Sequence, residues 1–324
     1  MNPASLCVFC MRLRRAFLYG DFKMKNIDKP WLCIEKQLGL LHSRGVKISN
    51  IDKALSFLLE NNYFRISGFT LCHRRNDVFQ PNFSTDNMEE ICKFDSELRM
   101  LIMGLLGYVE ITYKSLIAYY HTKKYGPMGY ECSATFDDIT TYATIMCKII
   151  RLKKHYEKCP EIFLKHYVID KNGRLPFWAA IELLNFTDTS KLFRALHTEM
   201  KKEIVKDYLG YTFGTAIDYV ENWLWCASVL RNIVAHRGRL YNRLLQVKPK
   251  LTPKDQKRLR INSKTGKPML NKLFAYLIVI KKLYPKNDVW KDFAYDVSEL
   301  TWRFPFIQLK EYGFPDNWRK ELES

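Results

Sequence analysis

The stretch Ser228-Val229-Leu230-Arg231-Asn232-Ile233-Val234-Ala235-His236-Arg237-Gly238-Arg239-Leu240-Tyr241-Asn242-Arg243 decides how the rest of the chain is read. Four residues separate Arg231 from His236, the residue after the arginine is polar, and Arg and Asn residues cluster after the histidine. A histidine exchanges a proton near neutral pH, whereas an arginine stays charged and forks onto phosphate oxygens. RNA cleavage requires both, because a 2′-hydroxyl must lose its proton while negative charge builds on the phosphorane. Taken alone, the pair fits a helix-capping histidine and an ion-paired arginine just as well.

The surroundings of the pair decide between these readings. Arg231-Asn232-(x3)-His236 resembles the arginine, polar residue, spacer, histidine signature of the HEPN superfamily. Trp223-Leu224-Trp225 upstream, with Ala235, Arg239-Leu240 and Asn242-Arg243, is similar to the corresponding block of the bacterial Abi-like family of the AbiD and AbiF type. Further blocks resemble that family at Glu60-Asn61-Asn62-Tyr63-Phe64-Arg65-Ile66-Ser67-Gly68-Phe69, at Phe94-Asp95 with Leu98-Arg99 and Glu110-Ile111, at Leu175-Pro176-Phe177-Trp178, and at Phe314-Pro315-Asp316-Asn317-Trp318. Together they span roughly residues 29–319. One departure falls at Thr187, after Phe186, where the family commonly has glycine; it implies a changed turn and leaves the chemistry alone.

The resemblance implies a mainly α fold, a HEPN-type helical bundle with a smaller helical amino-terminal region. It also implies a metal-independent endoribonuclease toxin of phage defence that works as a homodimer in the cytoplasm without a cofactor. His236 is then the general acid or base, Arg231 stabilises the phosphorane and Asn232 positions one of them. Arg237, Arg239, Asn242 and Arg243 would meet the RNA beside them. The alternative is a catalytically silent protein holding a structured non-coding RNA, and a third reading is a protein-interaction scaffold. On a regular helix Arg231 and His236 project about 140° apart, which suits two facing copies better than one.

Composition agrees with a polyanionic partner. There are 52 Lys and Arg against 34 Asp and Glu, a net charge of +18, and such an excess favours fast, salt-sensitive association with nucleic acid. At 47% apolar and 14% aromatic residues the chain is not wholly disordered. Nine cysteines, an odd number, suit a reducing compartment. Only Cys7 and Cys10 have C-x-x-C spacing, with no second pair at zinc-finger distance, so no metal site is expected. No apolar run approaches the roughly 20 residues of a bilayer span.

The resemblance, taken with hydrophobic spacing, implies an unassigned extension at 1–23 that does not match the family, an amino-terminal helical region at 24–87 and a HEPN-like helical domain at 88–324 with a basic insertion at 248–268. A helix is expected over 88–124, in which Glu110 is either a structural salt-bridge partner, the favoured reading, or a group that orients Arg231 or His236 across the bundle. Ser49, then Asp137 or Asp138, then Thr189 or Ser190 are read as caps of later helices, and the Asn61-Asn62 segment as irregular. Lys148, Arg151 and Lys154 form a basic helical face, and Lys257, Arg258 and Arg260 a basic excursion, both candidates for tracking an RNA backbone. The last helix is expected over 270–283.

Overall fold

Ser84 begins the helix on which the molecule is built. In the computed structural model, which describes residues 31–158, 165, 167 and 174–324, three short helices come first: α1 (Ile34–Ser43), α2 (Ile51–Glu60) and α3 (Tyr63–Phe69). A two-stranded antiparallel hairpin, β1 (Arg74–Arg75) and β2 (Val78–Phe79), leads into the 41-residue α4 (Thr85–Tyr125). The Ser84 hydroxyl accepts from the Asn87 backbone while the Asn87 side chain accepts from that of Ser84, a capping box that satisfies both N–H groups. Gly126, at φ 77°, ends the helix.

Along α4 the buried residues Ile91, Phe94, Leu98, Ile102, Leu105, Val109, Tyr113 and Ile117 recur every three or four positions. This stripe packs against α9 (Ala216–Ala235), α11 (Leu273–Leu283) and α12 (Asn287–Arg303), each fully buried side chain contributing about 1.5–3 kcal/mol. Length and composition alone would let α4 cross a membrane, with a mean hydropathy of 1.4 in its most apolar window, contrary to the expectation that no such run exists. Helix α11 is buried from Leu273 to Ile280 on every side, as a central helix must be. Leu38, Leu58 and Ile66 of the amino-terminal helices share one apolar cluster with Trp223, Phe274 and Leu300.

The fold is thus mainly α. Between α4 and α9 lie α5 (Ile139–Lys158), α6 (Phe177–Ala180), α7 (Phe186–Ala195) and α8 (Thr198–Leu209); α10 (Pro253–Gln256) and α13 (Trp318–Glu323) are short. Asp138 caps α5, accepting from Thr141 N at 2.9 Å. Other expected caps are corrected. Asn50, not Ser49, caps α2, and Asn185, not Thr189 or Ser190, caps α7 in a second capping box with Asp188. The Asn61-Asn62 pair starts a helix instead of an irregular run, because Asn62 accepts from Phe64 N and Ile66 and Phe69 are buried. Helix α12 follows the helix expected to be last. The basic insertion turns back on itself, with Ile261 bridging to Pro268. Residues 1–23 and the Cys7–Cys10 pair lie outside the described residues.

His121, near the end of α4, is fully buried among Tyr125, Phe136 and Phe177. Its Nε2 is 3.0 Å from Thr135 Oγ1, whose own proton is directed at the Gly129 and Cys132 carbonyls. The ring therefore carries its proton on Nε2, and Nδ1 has no partner among the described residues. Burial pushes its pKa down to about 4. The unfolded chain binds this proton first as pH falls, since an unperturbed histidine titrates near ~6.5. The stabilisation is complete above that pH and is lost on descending to about 4. Urea titrations should show up to about 3 kcal/mol more acid destabilisation in the wild type than in His121→Phe across that window.

Candidate functional site

Helix α9 carries the candidate site at its carboxyl end. Val220, Trp223, Leu224, Ala227, Leu230 and Val234 bury one side of it, and the Trp223 indole N–H donates to Lys250 O at 2.7 Å. Beside this face Arg231 is 29% exposed, its Nε 3.5 Å from Glu110 Oε2 on α4. Arg231 Nη1 also donates to Asn232 Oδ1 at 3.4 Å, and Asn232 Nδ2 donates to Thr187 Oγ1 at 3.0 Å. Behind Glu110 stands Lys114, 3.7 Å from that carboxylate and 3.5 Å from Glu182.

His236 is the helix C-cap and is exposed. Both parts of the purely structural reading are therefore present, yet neither consumes the chemistry. Capping uses the His236 backbone, which donates to Asn232 O at 3.1 Å, and the imidazole makes no hydrogen bond among the described residues. The two contacts of Arg231 are long for ion pairs and leave its Nη2 without a partner among the described residues.

The chain leaves the helix through a Schellman turn: Arg237 N donates to Val234 O at 3.0 Å and Gly238 N to Ile233 O at 2.7 Å. A Cβ at Gly238 would sit 2.9 Å from Ile233 O, so that position needs glycine. Arg237 occupies the left-handed position at φ 53°, where glycine is the usual residue. Backbone strain kept at a site marks a side chain wanted there. Arg237→Gly should leave the fold as stable or up to about 1 kcal/mol more stable. A thermal denaturation showing a clear loss would instead make Arg237 a structural residue.

Asp95, fully buried on α4, holds the loop that follows. Leu240 N and Tyr241 N donate to its Oδ1 at 3.0 and 2.7 Å, Tyr312 OH at 3.1 Å, and the Arg99 guanidinium contacts Oδ2. Burial pushes its pKa up, while Arg99 and the backbone donors pull it down. Helix α3 meets the same loop twice. Arg65 Nη2 donates to Arg237 O at 2.9 Å, and the Arg239 side chain lies against Gly68, where a Cβ would come within 3.3 Å of its Nε.

The structure gathers Arg231, Asn232, His236, Arg237, Arg239, Asn242 and Arg243 at one helix end. Arg239 is partly spent there: its Nη1 donates to Tyr241 O, and burial lowers its pKa. Arg243 donates to Arg239 O at 3.4 Å. Lys148 contacts Asp188, the capping-box residue of α7, whereas Arg151 and Lys154 are exposed on α5. In the insertion Lys257 is exposed, but Arg258 pairs with Glu321 at 2.5 Å and Arg260 with Asp316 at 3.1 Å. Thr187 was read as remote from the chemistry. Its hydroxyl is the partner of Asn232, so that departure lies within the site. Glu182, Lys114 and the loop-holding role of Asp95 were not anticipated. Among the described residues no group of three or more His, Cys, Asp or Glu could hold a metal ion.

Two cavities flank the site along α4. One of 790 Å³ is lined by α2, α3, α4 and the end of α9, including Ala235 and Arg237 on either side of His236. The other, 510 Å³, lies beyond Lys114 and includes Tyr119, Trp178 and Glu182.

The first long helix of this mainly α bundle thus presents a carboxylate to an Arg-Asn-(x3)-His helix end, and sequence comparison gives the chain a family. The family described as Abi-like protein matches residues 56–242, more than half of the chain, from the middle of α2 through Asn242. The chain belongs to that family, which associates it with abortive infection in phage defence. No curated protein matches it, and neither does any solved structure.

Proposed function

We propose that the protein is an endoribonuclease toxin of HEPN type that acts in abortive infection within the cytoplasm. The observation that supports this best is the end of α9, where an exposed imidazole without a partner among the described residues lies about one turn from a guanidinium held, among those residues, by contacts of 3.4 and 3.5 Å. In the proposed reaction a 2′-oxygen attacks the adjacent phosphorus and the P–O5′ bond breaks. The base takes the 2′-hydroxyl proton, the acid gives one to the departing 5′-oxygen, and Arg231 compensates the charge on the phosphorane. Asn232, anchored to Thr187, keeps Arg231 in place. The products are a 2′,3′-cyclic phosphate and a 5′-hydroxyl. Incubation of purified protein with total RNA in chelator, followed by mapping of the ends, tests the proposal; intact RNA, or ends bearing a 5′-phosphate, would contradict it.

One chain supplies one such histidine, whereas the reaction needs an acid and a base. We therefore infer a homodimer in which two helix ends face each other. Ile111 supports the position of the contact: it is 66% exposed on α4, next to Glu110, with Tyr108 and Gly104 exposed one and two turns before it. Ile111→Arg should convert a dimer to monomer in light scattering and lower cleavage with it. A monomeric wild type that cuts RNA would remove the need for two copies.

The exposed Arg151, Lys154 and Lys257, remote in sequence from the motif, favour a second reading in which the same protein holds a structured non-coding RNA. RNA that co-purifies, with no cleavage after its removal, would select that reading.

A further inference from the structure

The 790 Å³ groove beside His236 contains aromatic rings, flexible apolar chains and cations that the cleavage proposal does not use. Phe57 of α2 and Met100 and Met103 of α4 give it an apolar surface, backed by the buried Phe69 of α3, and Met100 is 72% exposed. Its volume lies in the range of sites that enclose small ligands, roughly 300–1,000 Å³.

Its charges are unevenly matched. Of the cations, Lys93 pairs with Glu89 at 2.7 Å and Arg99 is committed to Asp95. Glu89 is further neutralised by Lys53 at 2.8 Å. Arg65 and Arg237 remain, with no carboxylate partner among the described residues. Arg65 donates to the Arg237 carbonyl at 2.9 Å and lies 5.7 Å from the Phe69 ring centroid, so its guanidinium is held over the groove wall. Opposing them is Glu60, which accepts from Ser56 at 3.1 Å. The apolar surface invites the face of a planar group, and the two free guanidiniums invite the phosphate attached to it.

From this complementarity we infer that the groove seats an unpaired nucleotide of the RNA strand, neighbouring the linkage presented to His236. A paired base is stacked on both faces and offers only its edges, so duplex RNA cannot fill an apolar groove of this kind. A flipped or single-stranded base can stack on Phe57 and slot among the methionines, with its phosphates toward Arg65 and Arg237. The amino-terminal helices thereby become the part of the molecule that selects where a strand is cut. This inference rests on RNA being the ligand, as proposed above, but not on the protein cutting it.

The test uses the full chain carrying His236→Ala, so that bound RNA stays intact, and a single-stranded oligonucleotide bearing 4-thiouridine. Photo-crosslinks are expected on peptides containing Phe57, Met100 or Met103. Ser96→Trp, a substitution at an exposed groove-lining position of α4, should weaken binding of the single strand about ten-fold and leave a blunt duplex of equal length unaffected. Met100→Glu should do the same through charge, which covers the case in which the tryptophan variant does not fold. Crosslinks confined to α5 or to residues 248–268, with affinity unchanged in both variants, would overturn the inference. If wild-type protein fails to cut yet crosslinks in the groove, the cleavage proposal falls and this one stands. If Ser96→Trp in otherwise wild-type protein cuts the same sites at the same rate, the reverse holds. Absence of any RNA binding would remove both.

Discussion

His236→Ala is expected to bind RNA like the wild type and to cut it about 10²–10⁴-fold more slowly. The separation of the two effects follows from where the imidazole is. Its helix-capping contact is made by the backbone, which alanine keeps, and the ring is exposed, so removing it takes little from the core and leaves Arg237, Arg151, Lys154 and Lys257 to meet the phosphates. Thermal unfolding of the variant should match that of the parent. Arg231 has two roles and gives a different result. Arg231→Lys keeps the charge opposite Glu110 but loses the planar fork that fits a phosphorane; cleavage should fall steeply while the fold survives. Arg231→Ala should lose cleavage and some stability together, because Glu110 is then left with Lys114 alone at 3.7 Å and Asn232 loses its neighbour. RNA cutting that persists in chelator in the His236→Ala protein would show that the nuclease resides elsewhere or is a contaminant.

Which parts of this were legible in the sequence follows from how local each determinant is. Helix α4 was read to within three residues at its start because an unbroken three-and-four spacing with no proline admits one structure. Its exact beginning depended on Asn87 closing a capping box, a role more often filled by Glu or Gln. Caps went astray where several eligible residues adjoin. Ser49 and Asn50 are both good caps, and the choice is made by the backbone that the next turn adopts. Helix α3 was missed because its Asn pair and Gly68 suggest a turn locally, while burial of Ile66 and Phe69 against the long helix decides otherwise. At the site, Arg231, Asn232 and His236 were visible as a pattern, and Glu110 as the carboxylate on the facing helix. Thr187 was not, since its contact with Asn232 depends on how α7 packs on α9. A run of cations likewise does not reveal which are already taken: Arg258 and Arg260 pair with the carboxyl-terminal segment, while the adjacent, exposed Lys257 pairs with no carboxylate among the described residues. Asp95 shows in the sequence as an aspartate beside the apolar stripe of α4 with Arg99 one turn later, but that the Leu240 and Tyr241 backbone donates to it is set only by the fold.

Asp95→Ala should cost about 3–5 kcal/mol of folding stability, the range for breaking a buried ion pair by removing one partner. The substitution leaves the Arg99 guanidinium buried without its anion and deprives Leu240 N and Tyr241 N of their acceptor in the same step. Asp95→Asn separates the two losses. Its amide oxygen can still accept from both backbone groups, so only the charge opposite Arg99 is forfeited, and the deficit should be smaller, about 1–3 kcal/mol. The double substitution Asp95→Leu with Arg99→Met tests the remainder. Replacing a buried pair by apolar chains of similar size is often neutral, yet here two backbone N–H groups would remain unsatisfied at roughly 1–3 kcal/mol each. The double variant is therefore expected to stay below the wild type in urea denaturation, and to lose cleavage by more than its stability explains, because the loop carrying Arg237 and Arg239 is no longer tied to α4. Should it instead match the wild type in both respects, Asp95 would be no more than half of an ion pair, and the geometry of the helix end would have to be fixed by Arg65 and Gly68 alone.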